Sequence, residues 1–185
     1  MSSFSGSTAL GDLVARARAG DDDALEELLA VIRPLLVRRC SRFLPHLDDA
    51  EEAAQDALVA IAQNLDGYTG RGSFEGWITV IASNSARMTY RRLRRRAAEN
   101  GTADLPETAD PRTTSVVAGT RLDLMEALSE LERRKPQVVE PFVLRDLGSL
   151  PYDEIAAITG ESLATVRDRI HTARKFMRSA LVTKL

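Results

Sequence analysis

The apolar residues of this 185-residue chain recur at intervals of three and four, and this periodicity constrains the fold more than any other feature. In segment 162–178, Val166, Ile170, Ala173 and Met177 follow one another at intervals of four, three and four residues. Such spacing places them on one face of an α-helix, which turns once every ~3.6 residues. Alternating β-branched runs are nearly absent, and aromatic residues make up only 5% of the chain. The sequence therefore predicts an all-α fold.

Proline and glycine residues divide the helical segments into two predicted domains. In the N-terminal part, helices are expected over 10–19, 22–44, 48–65 and 74–96. Pro34 should kink or break the second of these helices. Residues 98–120 are rich in Thr, Ala and acids and lack an apolar period, which is typical of a linker. We therefore expect two small helical domains, 1–97 and 121–185, joined by a flexible acidic linker.

The charge of the chain is unevenly distributed, although the net charge is only −2. Residues 85–96 carry six arginines and no acid, whereas residues 1–84 and 97–132 each carry a net charge of −6. Residues 133–185 are basic again, at +4. Two basic blocks favour two contacts with a polyanion, because Lys and Arg release counterions from phosphates. The alternative is that these charges lie on solvated helix faces.

Composition argues against several classes of protein. No apolar run approaches the roughly 20 residues of a membrane-spanning helix, and no apolar core follows the N-terminal Met as in a signal peptide. Cys40 is the single cysteine and cannot form an internal disulfide. With only two histidines beside it, the usual zinc sites cannot be built. We expect a cytoplasmic protein without membrane insertion, cofactor or metal site.

The C-terminal segment has the pattern of a helix-turn-helix. A short helix that opens at Pro151 should stop at Gly160, and Ser162 can cap a longer last helix. Opposite the apolar stripe of that last helix lie Arg167, Asp168, His171, Lys175 and Arg178. Arginine can form two hydrogen bonds to guanine, and aspartate can accept a hydrogen bond from cytosine. Lys175 and Arg178 are better placed to contact phosphates. The alternative is an ordinary amphipathic hairpin whose charged face is solvated.

A second candidate surface lies on the predicted helix 74–96, for which Ser73 is the expected N-cap. At spacings of three, four and three, this helix carries Asn84, Arg87, Arg91 and Arg94, with Trp77 and Tyr90 nearby. Amide, guanidinium and aromatic groups on one surface suit an unpaired nucleic-acid strand, whose bases can stack and whose phosphates pair with arginine. The alternative makes Trp77 a core residue and the arginines a solvated helix end.

An acidic cluster and the cysteine are weaker candidates. The cluster consists of Asp48, Asp49, Glu51, Glu52 and Asp56. It could hold a divalent cation, but no other ligand obviously converges on it, and such a helix face is more often solvated or partner-binding. Cys40 lies beside arginines that could lower its thiol pKa, yet a lone cysteine in an amphipathic helix is usually a small core residue.

Three segments in this order resemble the extracytoplasmic-function (ECF, group IV) sigma factors of bacterial RNA polymerase, within the sigma-70 family. They read DDAEEAAQDAL, then GRGSFEGWITVIASNSA with the arginine block, then YDEIAAITGESLATVRDRIHTAR. The resemblance covers about residues 20–97 and 121–181. It implies a non-enzymatic subunit that binds core RNA polymerase through the β′ clamp helices and the β subunit, binds promoter DNA, and is controlled by an anti-sigma factor.

The resemblance also implies roles for individual residues. Contacts with the polymerase clamp helices fall to Glu52, Gln55 and Asp56. Contacts with the minus-ten element and its melting fall to Tyr68, Trp77, Asn84, Arg87 and Arg91. Contacts with the minus-thirty-five duplex fall to Arg167, Asp168, His171, Thr172, Arg174, Lys175 and Arg178. The acidic linker would be threaded through the polymerase towards its active centre.

Several positions depart from the common family pattern, namely Ser83, Met88, Asp168 and Thr172. They lie on or beside the predicted DNA-reading faces, so the promoter sequence is not predicted. Two other functions stay open at this point. One is a dimeric helix-turn-helix regulator that binds a palindrome without polymerase. The other is an all-helical enzyme that uses Glu51, Glu52 and Asp56 with a metal ion.

Overall fold

The computed structural model describes residues 7–99 and 115–182, and every regular element within these ranges is helical. This confirms the all-α prediction. The helices are α1 (Ser7–Arg18), α2 (Asp22–Cys40), α3 (Leu47–Asn64), α4 (Phe74–Glu99), α5 (Ser115–Arg134), α6 (Val139–Phe142), α7 (Tyr152–Thr159) and α8 (Leu163–Val182). Short 3-10 turns at Leu65–Gly67 and Pro136–Val138 and a π-helical turn at Val143–Leu147 complete them. None of the described helices is long and apolar enough to cross a bilayer.

Helices α1 to α4 pack around a shared apolar core. Helix α2 begins after Asp21, whose side chain accepts a hydrogen bond from the backbone N–H of Ala24 at 2.9 Å and so satisfies one free donor of the first turn. Leu28 and Leu36 lie on its fully buried face. Helix α3 buries mainly alanines, among them Ala53. These small side chains allow α2 and α4 to approach α3 closely.

Pro34, which was expected to kink or break the second helix, does not break it, because α2 continues from Asp22 to Cys40. Proline lacks an N–H group, so the carbonyl of Ala30 loses its usual partner one turn later. Both residues are exposed, and water can therefore bond that carbonyl. Ile32 and Leu36, on either side of the proline, are buried in the core. Tertiary packing of this face stabilises the helix across the proline.

In the C-terminal part, α5, α6 and α8 pack together and α7 lies against α8. Gly160 ends α7 in the left-handed region at φ 69°, which confirms its predicted role. Ser162 caps α8 as predicted, since its hydroxyl accepts from the N–H of Thr165 at 3.1 Å. Val166 and Ile170 of α8 are buried against apolar residues of α7 and of the segment before it. The two helices therefore form a braced helix-turn-helix.

Described helices extend into both ends of the predicted linker. Helix α4 continues to Glu99 and α5 begins at Ser115, so only 100–114 of the predicted linker 98–120 lie outside the described residues. Gly119, which falls within the predicted linker, lies inside α5. One helical glycine costs about 1 kcal/mol relative to alanine. The 20 residues of α5 contain no proline and can offset that cost.

The N-terminal and C-terminal parts are in direct contact. Helix α4 lies against α7 and the π-helical turn. Gly76 makes this approach possible, because a Cβ atom there would lie 2.7 Å from Cδ1 of Ile158. From α2, Arg39 donates to the carboxylate of Glu75 at 2.9 Å and also to the backbone carbonyl of Gly148. The base of the helix-turn-helix thus rests on the start of α4.

Candidate nucleic-acid interface

The outer face of α8 carries most of the residues predicted to read duplex DNA. Its inner face buries Val166, Ile170, Ala173 and Met177, as the spacing predicted. Exposed on the opposite face are Arg167, Asp168, His171, Arg174, Lys175 and Arg178, while Thr172 is half-buried. A braced helix with a solvent-facing row of donors and acceptors has the form of a major-groove reading helix.

Arg174 differs from the other residues of this face because it is already paired. Its guanidinium donates to both carboxylate oxygens of Asp146, at distances of 2.9 and 3.1 Å, and lies 3.5 Å from the hydroxyl of Tyr152. The hydrogen bond to Asp146 raises the pKa of Arg174. This arginine therefore anchors α8 to the preceding segment, and it would have to leave Asp146 to reach a phosphate.

The residues that hold α8 in position against its neighbours were not predicted from the sequence. Arg169 forms an ion pair with Glu161 and donates to the carbonyl of Gln137 at 3.3 Å. Arg145 lies over the ring of Tyr152, with 4.7 Å from its guanidinium carbon to the ring centroid. The contact of Arg169 with Gln137 joins residues 32 positions apart, and the other two link neighbouring elements, so periodicity along one helix could not reveal them.

An aromatic cluster stands at the entrance to α4. Tyr68, Phe74 and Trp77 have ring centroids 5.3 to 5.7 Å apart, within the range of edge and tilted aromatic contacts. The hydroxyl of Tyr68 donates to the carbonyl of Gly72 at 3.1 Å, and burial raises the pKa of Tyr68. Ser73 caps α4 as predicted, accepting from the N–H of Gly76 at 2.9 Å. Two predicted site residues, Tyr68 and Trp77, are thus brought together, and Phe74 joins them.

The amide and arginine stripe of α4 faces the C-terminal part of the chain. Arg87 lies 3.4 Å and Arg91 lies 3.1 Å from the two carboxylate oxygens of Glu132 in α5. Arg87 also donates to the side-chain oxygen of Asn84. Its own side chain is only 13% exposed. Burial lowers the pKa of Arg87, and the charge of Glu132 opposes that effect.

The most exposed residues of α4 are not the same set as its predicted amide and arginine stripe. At intervals of about one turn, it exposes Asn84, Met88, Arg91 and Arg95. Met88 is 63% exposed although it is a large apolar residue. In this arrangement Asn84 and Arg91 are accessible to a strand, whereas Arg87 is covered by α5.

The acidic residues predicted to bind a partner lie on the exposed face of α3. Glu52, Gln55 and Asp56 are all exposed. Arg92 of α4 reaches Glu52 at 2.8 Å and Asp56 at 3.9 Å. These ion pairs with Arg92 were not predicted, because they cross between two helices. Gln55 lies between the two acids in sequence and is exposed, so the surface offers both charge and an amide.

Cys40 is a core residue in the structure. Its side chain is fully buried at the end of α2, and burial raises the pKa of its thiol to about 12. The hypothesis of an activated thiol is therefore wrong. Within residues 7–99 and 115–182, no group of three or more His, Cys, Asp and Glu side chains is placed to hold a metal ion.

Comparison with protein families assigns both parts of the chain. Residues 28–96 match the model described as Sigma-70 region 2, and residues 121–177 match Sigma-70, region 4. Together these matches cover well over half of the chain, and they include α4 with its arginines and the helix-turn-helix. The order of the two regions agrees with the order of the two candidate DNA surfaces.

Individual relatives agree with this assignment. The chain is 31% identical to the ECF RNA polymerase sigma factor SigE of Mycolicibacterium smegmatis, over 88% of this chain and 64% of that protein. It is 28% identical to the ECF RNA polymerase sigma-E factor of Escherichia coli, over 88% and 89%. The structure of CnrH in complex with the cytosolic domain of CnrY is similar at a TM-score of 0.52 and 26% identity, covering 94% of this chain and 97% of that one. Both of the named sigma factors are ECF factors, and the chain belongs to the sigma-70 family.

Proposed function

We propose that this chain is a dissociable promoter-specificity subunit, which binds core RNA polymerase, recognises minus-thirty-five and minus-ten promoter elements, and promotes melting of the DNA. The observation that carries this proposal is the pairing of an exposed helix-turn-helix face with an arginine-bearing helix, each inside the matching sigma-70 region. The proposed subunit performs no covalent chemistry, needs no cofactor and acts in the cytoplasm.

Duplex recognition is assigned to α8. Arg167, Asp168, His171 and Thr172 would contact base edges, and Lys175 and Arg178 would contact phosphates. Exposed side chains on a braced helix support this division, because only a rigid helix keeps several groups in register with base edges. Arg174 would contribute after release from Asp146.

Melting is assigned to α4 and the aromatic cluster. Asn84 would hold an unstacked base, Arg91 and Arg87 would hold the strand, and Tyr68 with Trp77 would border the base pocket. Opening a base step costs a few kcal/mol, which contacts to the flipped base and to phosphates can offset. No nucleotide hydrolysis is needed in this scheme.

The acidic face of α3 is assigned to the polymerase. Glu52, Gln55 and Asp56 would dock on the clamp helices of the β′ subunit, and the linker would extend along the β subunit. An acidic surface on a DNA-binding protein is well suited to a basic protein partner, because opposite charges steer association. The family resemblance adds a further partner, an anti-sigma factor, which would cover these surfaces until a signal releases the chain. The similar CnrH was solved in complex with a protein partner, the cytosolic domain of CnrY.

The test is a pull-down of the tagged chain with core RNA polymerase, followed by transcription from a pool of random promoters. We expect stoichiometric binding and transcripts whose templates share two motifs separated by a fixed spacer. A stand-alone regulator would instead bind duplex DNA tightly without polymerase, as a dimer on a palindrome. That result, together with no polymerase binding by the purified chain, would reject the proposal.

A further inference from the structure

Met88 is the most exposed large apolar side chain among the described residues, with an exposed fraction of 63%. The residues one helical turn away from it on α4 are Asn84, Ser85, Arg91 and Arg92, and all of them are polar or charged. Met88 is therefore not part of a larger apolar face of its own helix. A protein partner would require such a face, because the buried centre of a protein–protein interface is enriched in apolar residues.

Met88 lies in the exposed row of α4 that begins at Asn84 and continues through Arg91. At a rise of about 1.5 Å per residue, Met88 is about 6 Å from Asn84 along the helix axis and about 4.5 Å from Arg91. Stacked bases of one strand are about 3.4 Å apart. A strand that follows this row therefore brings one base to Asn84 and a different base to Met88. Arg91 is half-exposed and can pair with a phosphate of the same strand.

The side chain of Met88 can recognise only an apolar part of a base. It has no hydrogen-bond donor, and its thioether sulfur is a weak acceptor. Among the four bases of DNA, only thymine carries a methyl group on its edge. Thymine can turn this methyl group towards Met88 and keep its polar atoms in water. The amino groups of adenine or cytosine would lose water at this position without gaining a strong partner, which is unfavourable.

We infer that Met88 is a specificity-determining residue, which contacts the C5 methyl group of a thymine next to the base held by Asn84. The inference rests on the proposed function and deepens it, because it names the base that one position of the strand surface selects. Burial of one methyl group against an apolar side chain should strengthen binding by about threefold. Asn84 and Met88 thus divide the selection of two bases between an amide and a thioether.

A base analogue tests this contact. Deoxyuridine differs from thymidine only in the loss of the C5 methyl group. The full chain would be bound to core polymerase and titrated with a promoter recovered from the random pool, in which each minus-ten thymidine of either strand is replaced in turn. We expect replacement at one position to weaken binding by about threefold, with little change at the others. If no position responds in the parent chain, the inference is overturned.

Two substitutions assign the methyl contact to Met88. Met88→Gln keeps the length of the side chain but makes it polar, whereas Met88→Leu keeps it apolar. Both should fold, because the side chain is largely exposed and all three residues favour helices. Met88→Gln should bind the thymidine and deoxyuridine promoters equally, and Met88→Leu should still prefer thymidine. A preference for thymidine that persists in Met88→Gln would overturn the inference.

Val31→Ala is the matched control. Val31 is also a large apolar residue, with an exposed fraction of 55%, but it lies on α2. Its replacement removes exposed apolar surface without touching the row of α4. We expect this variant to distinguish thymidine from deoxyuridine as the parent does. Loss of the distinction in Val31→Ala would mean that the effect of Met88 is not local, and the inference would be rejected.

Selection from the random pool provides a second readout. With Met88→Gln in place of the parent, the thymine preference should disappear at one minus-ten position, while the minus-thirty-five motif stays the same. Identical minus-ten motifs for the two proteins would reject the role of Met88 alone. A pool that yields no motif with the parent would reject the proposed function and, with it, this contact. The two failures are therefore distinguishable.

Discussion

At the scale of single residues, the reading face of α8 contains groups with different expected roles. Arg167 is exposed and is the face's first arginine after the Ser162 cap. Lys175 lies two turns later on the same exposed face. Arg174 is held by Asp146. Position along the helix and the presence of an internal partner therefore separate the proposed base contacts and the proposed phosphate contacts from the structural contact of Arg174.

Replacement of Arg167 by alanine should relax the preference at one minus-thirty-five base pair. A bidentate arginine contact contributes about 1–3 kcal/mol of discrimination, so affinity for the preferred sequence should fall accordingly. Binding of the polymerase complex to a set of single-base promoter variants measures this. Lys175→Ala is the control and should weaken all sequences equally. If Arg167→Ala lowered the affinity for all promoter variants equally, Arg167 would not contribute to base recognition.

Cys40 makes the stability of the chain depend on pH in the alkaline range. The unfolded thiol has a pKa near 9.0, and burial raises the folded value to about 12. Unfolding therefore releases a proton between these values, and the thiol's contribution to the free energy of unfolding is complete below pH 9.0 and lost as pH rises towards 12. The slope is at most about 1.4 kcal/mol per pH unit.

Urea unfolding of the parent and of Cys40→Ala at a series of pH values checks this prediction. The difference in unfolding free energy between the two proteins should shrink as pH rises above 9.0. A constant difference would mean that the thiol titrates alike in the folded and unfolded states.

At the scale of helices, local sequence signals predicted ends better than interiors. Ser73, Gly160 and Ser162 end or begin helices as expected, because capping depends on a few neighbouring atoms. Pro34 does not break α2, because packing along the whole helix outweighs one unfavourable residue, and Gly119 lies inside α5. The segment 136–147 is not one regular helix, because its geometry changes from 3-10 to α to π along its length.

Gly160→Ala should lower the free energy of unfolding by about 1–2 kcal/mol, since φ is 69° and an L residue is disfavoured there. No atom lies within 4 Å of the added Cβ, so backbone strain alone accounts for the loss. Gly11→Ala is the matched control. It is also unobstructed but lies inside α1, and it should stabilise the chain by up to about 1 kcal/mol. Equal effects of the two changes in urea unfolding would contradict the cap geometry.

The exposed face of α3 should contribute to polymerase binding without affecting DNA reading. Gln55→Ala combined with Asp56→Ala should weaken binding to core polymerase by about tenfold, because it removes a charge and an amide from the docking surface. Glu26→Ala combined with Glu27→Ala removes exposed acids from α2 and is the control. Fluorescence titration with labelled polymerase measures both. Unchanged polymerase binding by the α3 variant would mean that the docking surface lies elsewhere on the chain.

At the scale of the whole molecule, the relation between the two parts could not be predicted from sequence. The family resemblance and the charge pattern identified both candidate DNA surfaces and the residues on them. Contacts such as Arg39 with Gly148 and Arg87 with Glu132 join residues 109 and 45 positions apart. No local period encodes such pairs. In the structure, the arginine stripe of α4 that was predicted to bind a DNA strand is also in contact with the C-terminal part.

Permanganate reactivity of promoter thymines tests the central claim most directly. With core polymerase and a promoter recovered from the random pool, we expect the chain to make minus-ten thymines reactive. Asn84→Ala should reduce this reactivity at least fivefold while leaving closed-complex formation within twofold, because the amide acts on an already unstacked base. Polymerase recruitment without any reactive thymine in the parent complex would contradict the account.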